Sequence, residues 1–104
     1  MEKRKPHYQL SLVIELVKAR GIASFTKTAI DGGRQMGFTS SEMIGIVCGL
    51  KSQWLYKSMT TYANPTIWQD VYHAPSARGI VYIKVTLREN GAIVIQFKEL
   101  QHGS

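Results

Sequence analysis

GIVYIKVTLRENGAIVIQFKE, residues 79–99, is the stretch whose register decides the fold. Asn90-Gly91 marks a turn between two runs rich in Val, Ile, Thr and aromatic residues, which is the pattern of a β-hairpin. With a two-residue loop, Val85 would oppose Gln96 and Ile83 would oppose Lys98, and both faces would be mixed. With a three-residue loop, Glu89-Asn90-Gly91, and Gly91 left-handed in a bulge, Leu87 opposes Ile93, Val85 opposes Ile95 and Ile83 opposes Phe97. One face is then wholly apolar. A slip of one residue would turn that set to water, so the pattern selects the three-residue loop. The opposite face carries Tyr82 beside Lys98, Lys84 beside Gln96 and Thr86 beside Val94. Tyr82 and Lys98 are directly cross-strand, with Cβ atoms about 4.5–5.5 Å apart. A phenol beside an ammonium, with a second lysine one step along, is a candidate anion site; the plain alternative is a solvated sheet face.

Upstream of this hairpin, alternation predicts further strands at Trp54–Thr60 and Thr66–Tyr72, beside Gly79–Arg88 and Ala92–Glu99. Asn64-Pro65 and Ala74-Pro75-Ser76 read as breakers between them. Before Leu50 the period is helical. Leu10, Val13, Ile14 and Val17, widened by Leu12 and Leu16, predict a buried helix over Gln9–Ala19, entered after Pro6 and closed by Gly21. Ile22–Phe25 reads as a short edge strand. Thr26 caps a second helix carrying Ala29, Ile30 and Met36, with Gly32 and Gly33 lowering its propensity. Thr39 and Glu42 form a capping box for a third, whose stripe is Met43, Ile46, Val47 and Leu50. Gly45 and Gly49 share a face of it and suggest a close neighbour. Cys48 reads as a small buried hydrophobe. Helices first and hairpin-linked strands after predict an α+β fold: N-terminal helices packed on one face of a mostly antiparallel twisted sheet built from the C-terminal half.

The chain has 104 residues, room for a single domain over 1–104. Residues 1–6 read as a flexible basic arm whose Lys3, Arg4 and Lys5 attract phosphates nonspecifically, and 101–104 as a frayed tail. Lys+Arg is 13 against Asp+Glu 7, a net charge of +6, which points to a polyanionic partner such as nucleic acid. The single Cys48 allows no internal disulfide and no thiolate zinc cluster. No apolar run approaches the roughly 18–20 residues of a membrane span, and MEKRKPHYQ has no signal-peptide core, so the expected location is cytoplasmic. His7, His73 and His102 stand at no metal-ligand spacing, and the acids show no paired-carboxylate pattern. No P-loop, dinucleotide fingerprint or nucleophile elbow is present. Neither a metal nor a cofactor is expected. His7 and His73 remain candidates for acid–base work.

The opening MEKRKPH, the run YKSMTTYANPTIWQDVY from Tyr56 to Tyr72, VYIKVT at Val81–Thr86 and the closing FKE at Phe97–Glu99 are similar to the MqsR family, bacterial toxins of type II toxin–antitoxin pairs. The similarity extends to about Leu100, and Gly21–Gln53 contributes least. The resemblance implies a RelE-like α+β ribonuclease that cleaves single-stranded mRNA at GC-containing triplets without metal. It implies a partner antitoxin, MqsA-like, with a zinc-binding N-terminal domain and a helix-turn-helix C-terminal domain. By the same resemblance the catalytic residues are Lys57 in YKSM, Gln69 in TIWQD, Tyr82 opening the YxK strand and Lys98 in FKE. This agrees with the hairpin register, which sets Tyr82 beside Lys98. One departure concerns phosphate binding: arginines that family members carry after the VY pair are replaced here by His73-Ala74-Pro75, which leaves that contact to His73 or Arg78.

A ribonuclease of this kind uses the substrate's own 2′-hydroxyl as nucleophile. Lys57 and Lys98 would stabilise charge developing on the phosphate. Tyr82, its pKa expected to fall beside two ammonium groups, would serve as acid, base or ligand. Gln69 would orient the hydroxyl or phosphate, though alternation leaves its facing open. Tyr56 and Met59 flank Lys57 as candidates for the base pocket, and Lys84 adds charge to the same face. Trp54, Trp68 and Tyr72 read as core rather than as stacking platforms. A non-catalytic RNA-binding domain, or a module that binds only an antitoxin-like protein, are the competing readings.

Overall fold

A computed structural model describes residues 1–101 of the chain; His102 and the rest of the expected tail lie outside the described residues. Five strands, β1 (Glu2–Lys3), β2 (Leu55–Thr60), β3 (Trp68–Ser76), β4 (Gly79–Leu87) and β5 (Ile93–Glu99), form one sheet in chain order, with every neighbouring pair antiparallel. Three helices, α1 (Leu10–Arg20), α2 (Lys27–Gln35) and α3 (Ser40–Cys48), come between β1 and β2 and pack on the sheet. The fold is α+β, as the pattern of periods implies.

The β4–β5 register is the one that buries the apolar set: Leu87 opposes Ile93, Val85 opposes Ile95 and Ile83 opposes Phe97. The loop closes with Gly91 N–H donating to the Arg88 carbonyl and Arg88 N–H donating to the Ala92 carbonyl, both at 2.9 Å. Gly91 has φ +84°, where a side chain would be strained. Beneath the helices, Val81, Ile83, Val85, Ile95 and Phe97 meet Val13, Val17, Met43 and Val47 in one core. Burying each such side chain stabilises by about 1.5–3 kcal/mol. The capping box of α3 is formed: Glu42 N–H donates to Thr39 Oγ1 at 3.1 Å and Thr39 N–H to Glu42 Oε1 at 2.8 Å. Thr26 caps α2 through the Ala29 N–H. Burial raises the Cys48 thiol pKa, in keeping with a packing role.

Several local expectations change. Ile22–Phe25 is not an edge strand: Gly21–Ser24 is a 3₁₀ turn, and only Phe25 bridges to Ile95. The chain must reverse there between α1 and α2, and Gly21 at φ +59° starts the reversal. Leu12 is 42% exposed and does not widen the α1 stripe. Gly45 has no close neighbour, so no element packs against that face. The glycines that matter are in α2. A Cβ at Gly32 would strike the Phe97 carbonyl of β5, and one at Gly33 would strike Met43. The low-propensity pair is what lets α2 lie against both the sheet edge and α3.

Ala74-Pro75-Ser76 is not a breaker but the end of β3, paired with Gly79–Val81. β2 stops opposite Tyr72, so Pro75 lies on a free edge where its missing N–H costs no ladder bond. Residues 1–6 are not a loose arm. Glu2 and Lys3 pair with Met59 and Ser58, and Arg4 Nη1 donates to the Tyr56 carbonyl at 3.0 Å. Asp70, 1% exposed, anchors the chain between β1 and α1: it accepts from His7 N–H, Tyr8 N–H at 2.9 Å and the Ser58 hydroxyl at 2.6 Å.

Candidate active site

Side chains alternate across a sheet, so the registers assign one face directly. Opposite the helix-covered side run three rows: His73–Tyr82–Lys98, then Lys57–Val71–Lys84–Gln96, then Met59–Gln69–Thr86–Val94, with Glu2 of β1 next to Met59. Lys57, Gln69, Tyr82 and Lys98 all fall on this face. Gln69, whose facing alternation leaves open, donates from Nε2 to Thr86 Oγ1 at 3.1 Å, which fixes its amide. Lys98 Nζ stands 5.2 Å from the centre of the Tyr82 ring, within cation–π reach.

A β-bulge adds a further residue. Leu55 opposes Tyr72, but Lys57 opposes Val71, the very next position, so Tyr56 is the extra residue of β2. Bulges re-aim side chains. The Tyr56 ring stacks on His73 at 4.3 Å, and His73 in turn lies 6.0 Å from Tyr82. Arg4 and Lys57 sit over the Tyr56 ring at 5.7 and 5.6 Å. Three aromatic rings flanked by cations thus cross β2, β3 and β4.

Lys57 is held by the one salt bridge among the described residues, Nζ to Glu2 Oε1 at 2.5 Å. This bond raises the Lys57 pKa and lowers that of Glu2. Tyr82 departs from expectation: burial raises its pKa, against a smaller lowering by Lys57. The ring is half-buried against the sheet, so the cost of burying a phenolate exceeds the pull of the Lys57 ammonium. At neutral pH Tyr82 is therefore a phenol, a proton donor. Burial, followed by the nearby Lys98 charge, lowers the Lys84 pKa. Burial also lowers His73, which makes it a neutral imidazole and a stacking partner rather than a replacement cation.

Arg78 is not brought to these rows. It lies in the β3–β4 turn with its guanidinium 5.8 Å from the Phe38 ring centre. His7 stacks on Trp68 at 5.1 Å with a ring nitrogen 3.1 Å from Lys3 Nζ. Tyr72 is core, 1% exposed, its pKa pushed up to about 12 mainly by burial. Trp54 packs on the core and Trp68 against His7 and Lys3.

Open clefts line the polar face. One of about 420 Å³ is walled by Gln35 and Met36 of α2 with Tyr82 and Lys98. A second, of about 320 Å³, shares Tyr82 and Lys98 and adds Thr28, Lys84 and Gln96. A third, of about 830 Å³, shares Gln96 and runs on past Gln69, Thr86 and Arg88. Shared walls, Tyr82 and Lys98 between the first two and Gln96 between the last two, join them into one continuous track. Among the described residues no three His, Cys, Asp or Glu side chains gather where they could hold a metal ion. No described helix is long and apolar enough to cross a membrane.

Residue types alone do not single out Glu2, which stands in the chain beside a basic run. Nor do they single out Asp70, which is buried beneath the arm. The family described as "Motility quorum-sensing regulator, toxin of MqsA" matches residues 5–99 of the chain. The chain is also 41% identical over 99 residues to the mRNA interferase toxin MqsR of Escherichia coli (strain K12), an alignment that covers 95% of this chain and 99% of that protein.

Proposed function

This chain belongs to the MqsR toxin family, and on that premise we propose that it is a toxin of a type II toxin–antitoxin pair and an endoribonuclease that cuts single-stranded mRNA in the cytoplasm. The observation that carries this reading is the polar row Tyr82–Lys98 with Lys57 and Gln69 on the same face, beside a continuous track. The cleavage preference is for GC-containing triplets, and the neutralising partner is an MqsA-like antitoxin with a zinc-binding N-terminal domain and a helix-turn-helix C-terminal domain. These last points rest on the family resemblance.

The chemistry follows from the protonation states. A phosphodiester lies along the face with its nonbridging oxygens toward Lys57 and Lys98. The 2′-oxygen attacks phosphorus in line, and the P–O5′ bond breaks. Preorganised cations stabilise the charge that builds on phosphorus, the largest contribution in many enzymes. Tyr82, a phenol at neutral pH, donates its proton to the departing 5′-oxygen. Gln69, held by Thr86, aligns the substrate. Tyr56 and Met59 border Lys57 and form the base pocket, with His73 extending the stack.

The test is cleavage of a single-stranded RNA containing a GC-bearing triplet, in the presence of EDTA. The expected products carry a 2′,3′-cyclic phosphate and a 5′-hydroxyl. RNA binding without cleavage would instead favour a regulatory RNA-binding domain. Loss of cutting in EDTA that magnesium restores would overturn the metal-free mechanism.

A further inference from the structure

A 2′-hydroxyl attacks phosphorus only if its proton leaves. The groups so far assigned cannot take it. Tyr82 already holds its proton, Lys57 is held in the ammonium form by its bond to Glu2, and a Gln69 amide does not ionise. Glu99 borders the cleft beside Tyr82 and Lys98, but it opposes Val81 on the other face and its Oε2 lies against Gly79. Among the described residues, the carboxylate that stands in the three rows themselves is Glu2. It is brought there by pairing β1 onto β2, opposite Met59 and on the same face as Lys57 and Gln69. Its Oε1 lies 2.5 Å from Lys57 Nζ. A group that close to the ammonium that receives a phosphate oxygen is also within reach of the 2′-oxygen of the same nucleotide, because the two oxygens share one ribose–phosphate unit.

We propose that Glu2 is the general base of the reaction. This rests on the ribonuclease reading above and goes one step into it. When RNA binds, the Lys57 ammonium turns from the Glu2 carboxylate to a nonbridging phosphate oxygen. The carboxylate loses its partner and becomes the better proton acceptor. The O2′–H proton passes to Glu2 as the O2′–P bond forms. The P–O5′ bond breaks, and O5′ takes the Tyr82 proton. Solvent then returns a proton to Tyr82 and removes one from Glu2. Before substrate arrives, the same salt bridge holds Lys57 in place and keeps the free site neutral at that point.

His73 is the rival acceptor, since it is a neutral imidazole whose ring nitrogens have no hydrogen-bond partner among the described residues. Its ring, however, is stacked face-on against Tyr56, whereas Glu2 is bonded directly to the lysine.

The experiment compares the parent with Glu2→Gln, Glu2→Asp, Glu2→Ala and His73→Asn. Single-turnover cleavage is measured on a single-stranded RNA with one GC-bearing triplet. Binding is measured on the same RNA carrying a 2′-O-methyl group at the cut site. Glu2→Gln is expected to slow cleavage by roughly 10²–10⁴-fold, the usual weight of a general base, with binding unchanged or tighter. Glu2→Asp should retain part of the rate, and added formate should restore part of it to Glu2→Ala. Removing an edge residue should leave the melting temperature close to parental. Parental cutting by Glu2→Gln overturns the proposal, and faster cutting, which also overturns it, would make the salt bridge a competitor for RNA. A selective loss of rate in His73→Asn, with Glu2→Gln normal, moves the role to the imidazole. A parent that binds RNA and never cuts it sinks the ribonuclease reading itself, which is a different failure.

Discussion

The two faces of the β4–β5 hairpin come from the same two strands and do opposite work. Ile83, Val85, Ile95 and Phe97 are 0–2% exposed under the helices. Tyr82, Lys84, Gln96 and Lys98 occupy the positions between them and look onto the track. Neighbours in sequence are thus separated by a sheet's thickness. Burial, and with it stability, is concentrated at odd positions, and the proposed chemistry at even ones. Substitutions one residue apart should therefore fail in different ways, and this makes the division easy to attack.

The largest effect belongs to the covered face. Phe97→Ala should lose about 3–5 kcal/mol and Ile83→Ala about 2–5 kcal/mol, because each leaves a cavity that close-packed neighbours cannot fill. Urea unfolding reads the loss. Whatever fraction stays folded should cut RNA at the parental rate. The division breaks if either variant melts normally yet loses activity.

On the open face, Tyr82→Phe removes one hydroxyl and keeps the ring. It should slow cleavage by roughly 10²-fold with little change in melting, and Lys98→Ala should do the same. If both act on one phosphate, the double variant should lose far less than the product of the two. Independent, multiplying effects would mean that the cross-strand pair does not work as a unit. Unfolding by Tyr82→Phe would show that the faces are not separate after all.

The smallest effect is a pH dependence. Folding holds His7 and His73 below the ordinary value of 6.5, His7 through burial and then Lys3, His73 through burial. Protonation therefore favours the unfolded chain. The stability carried by the neutral rings is complete above the unfolded value and is drawn down as pH falls through and below it. Urea midpoints measured from about pH 7.5 to about pH 5 should fall less in the His7→Asn, His73→Asn double variant than in the parent. Equal slopes would place the acid sensitivity elsewhere.

How far the sequence can be read obeys the same division. The β4–β5 hairpin is legible because only one register gathers its apolar residues, and that register alone sets Tyr82 beside Lys98. The capping box of α3 is legible because Thr39 and Glu42 satisfy each other locally. β1 is not, since two residues carry no period and their partners, Ser58 and Met59, are distant in the chain. Glu2 is hidden among cations for the same reason. The bulge that turns Tyr56 toward His73 is a one-residue shift between β2 and β3, which alternation cannot reveal before the pairing is known. The direction of the Tyr82 shift runs against the sequence expectation because charge is visible in a sequence and burial is not. Lys57 and Gln69 owe their assignment to the family resemblance; lysine and glutamine on a strand are ordinary surface residues.

Because the sheet is laid down in chain order, with β5 last, translation itself delays the arrival of Lys98. A ribosome adds about 5–20 residues per second, and the nascent chain carries Lys57 and Tyr82 before it carries their final cationic neighbour. Until β5 docks, Tyr82 lacks its cross-strand ammonium and α2 has no strand edge to rest its glycines on. A chain stalled or clipped within the last hairpin would therefore lack the Tyr82–Lys98 pair on which the proposed chemistry rests.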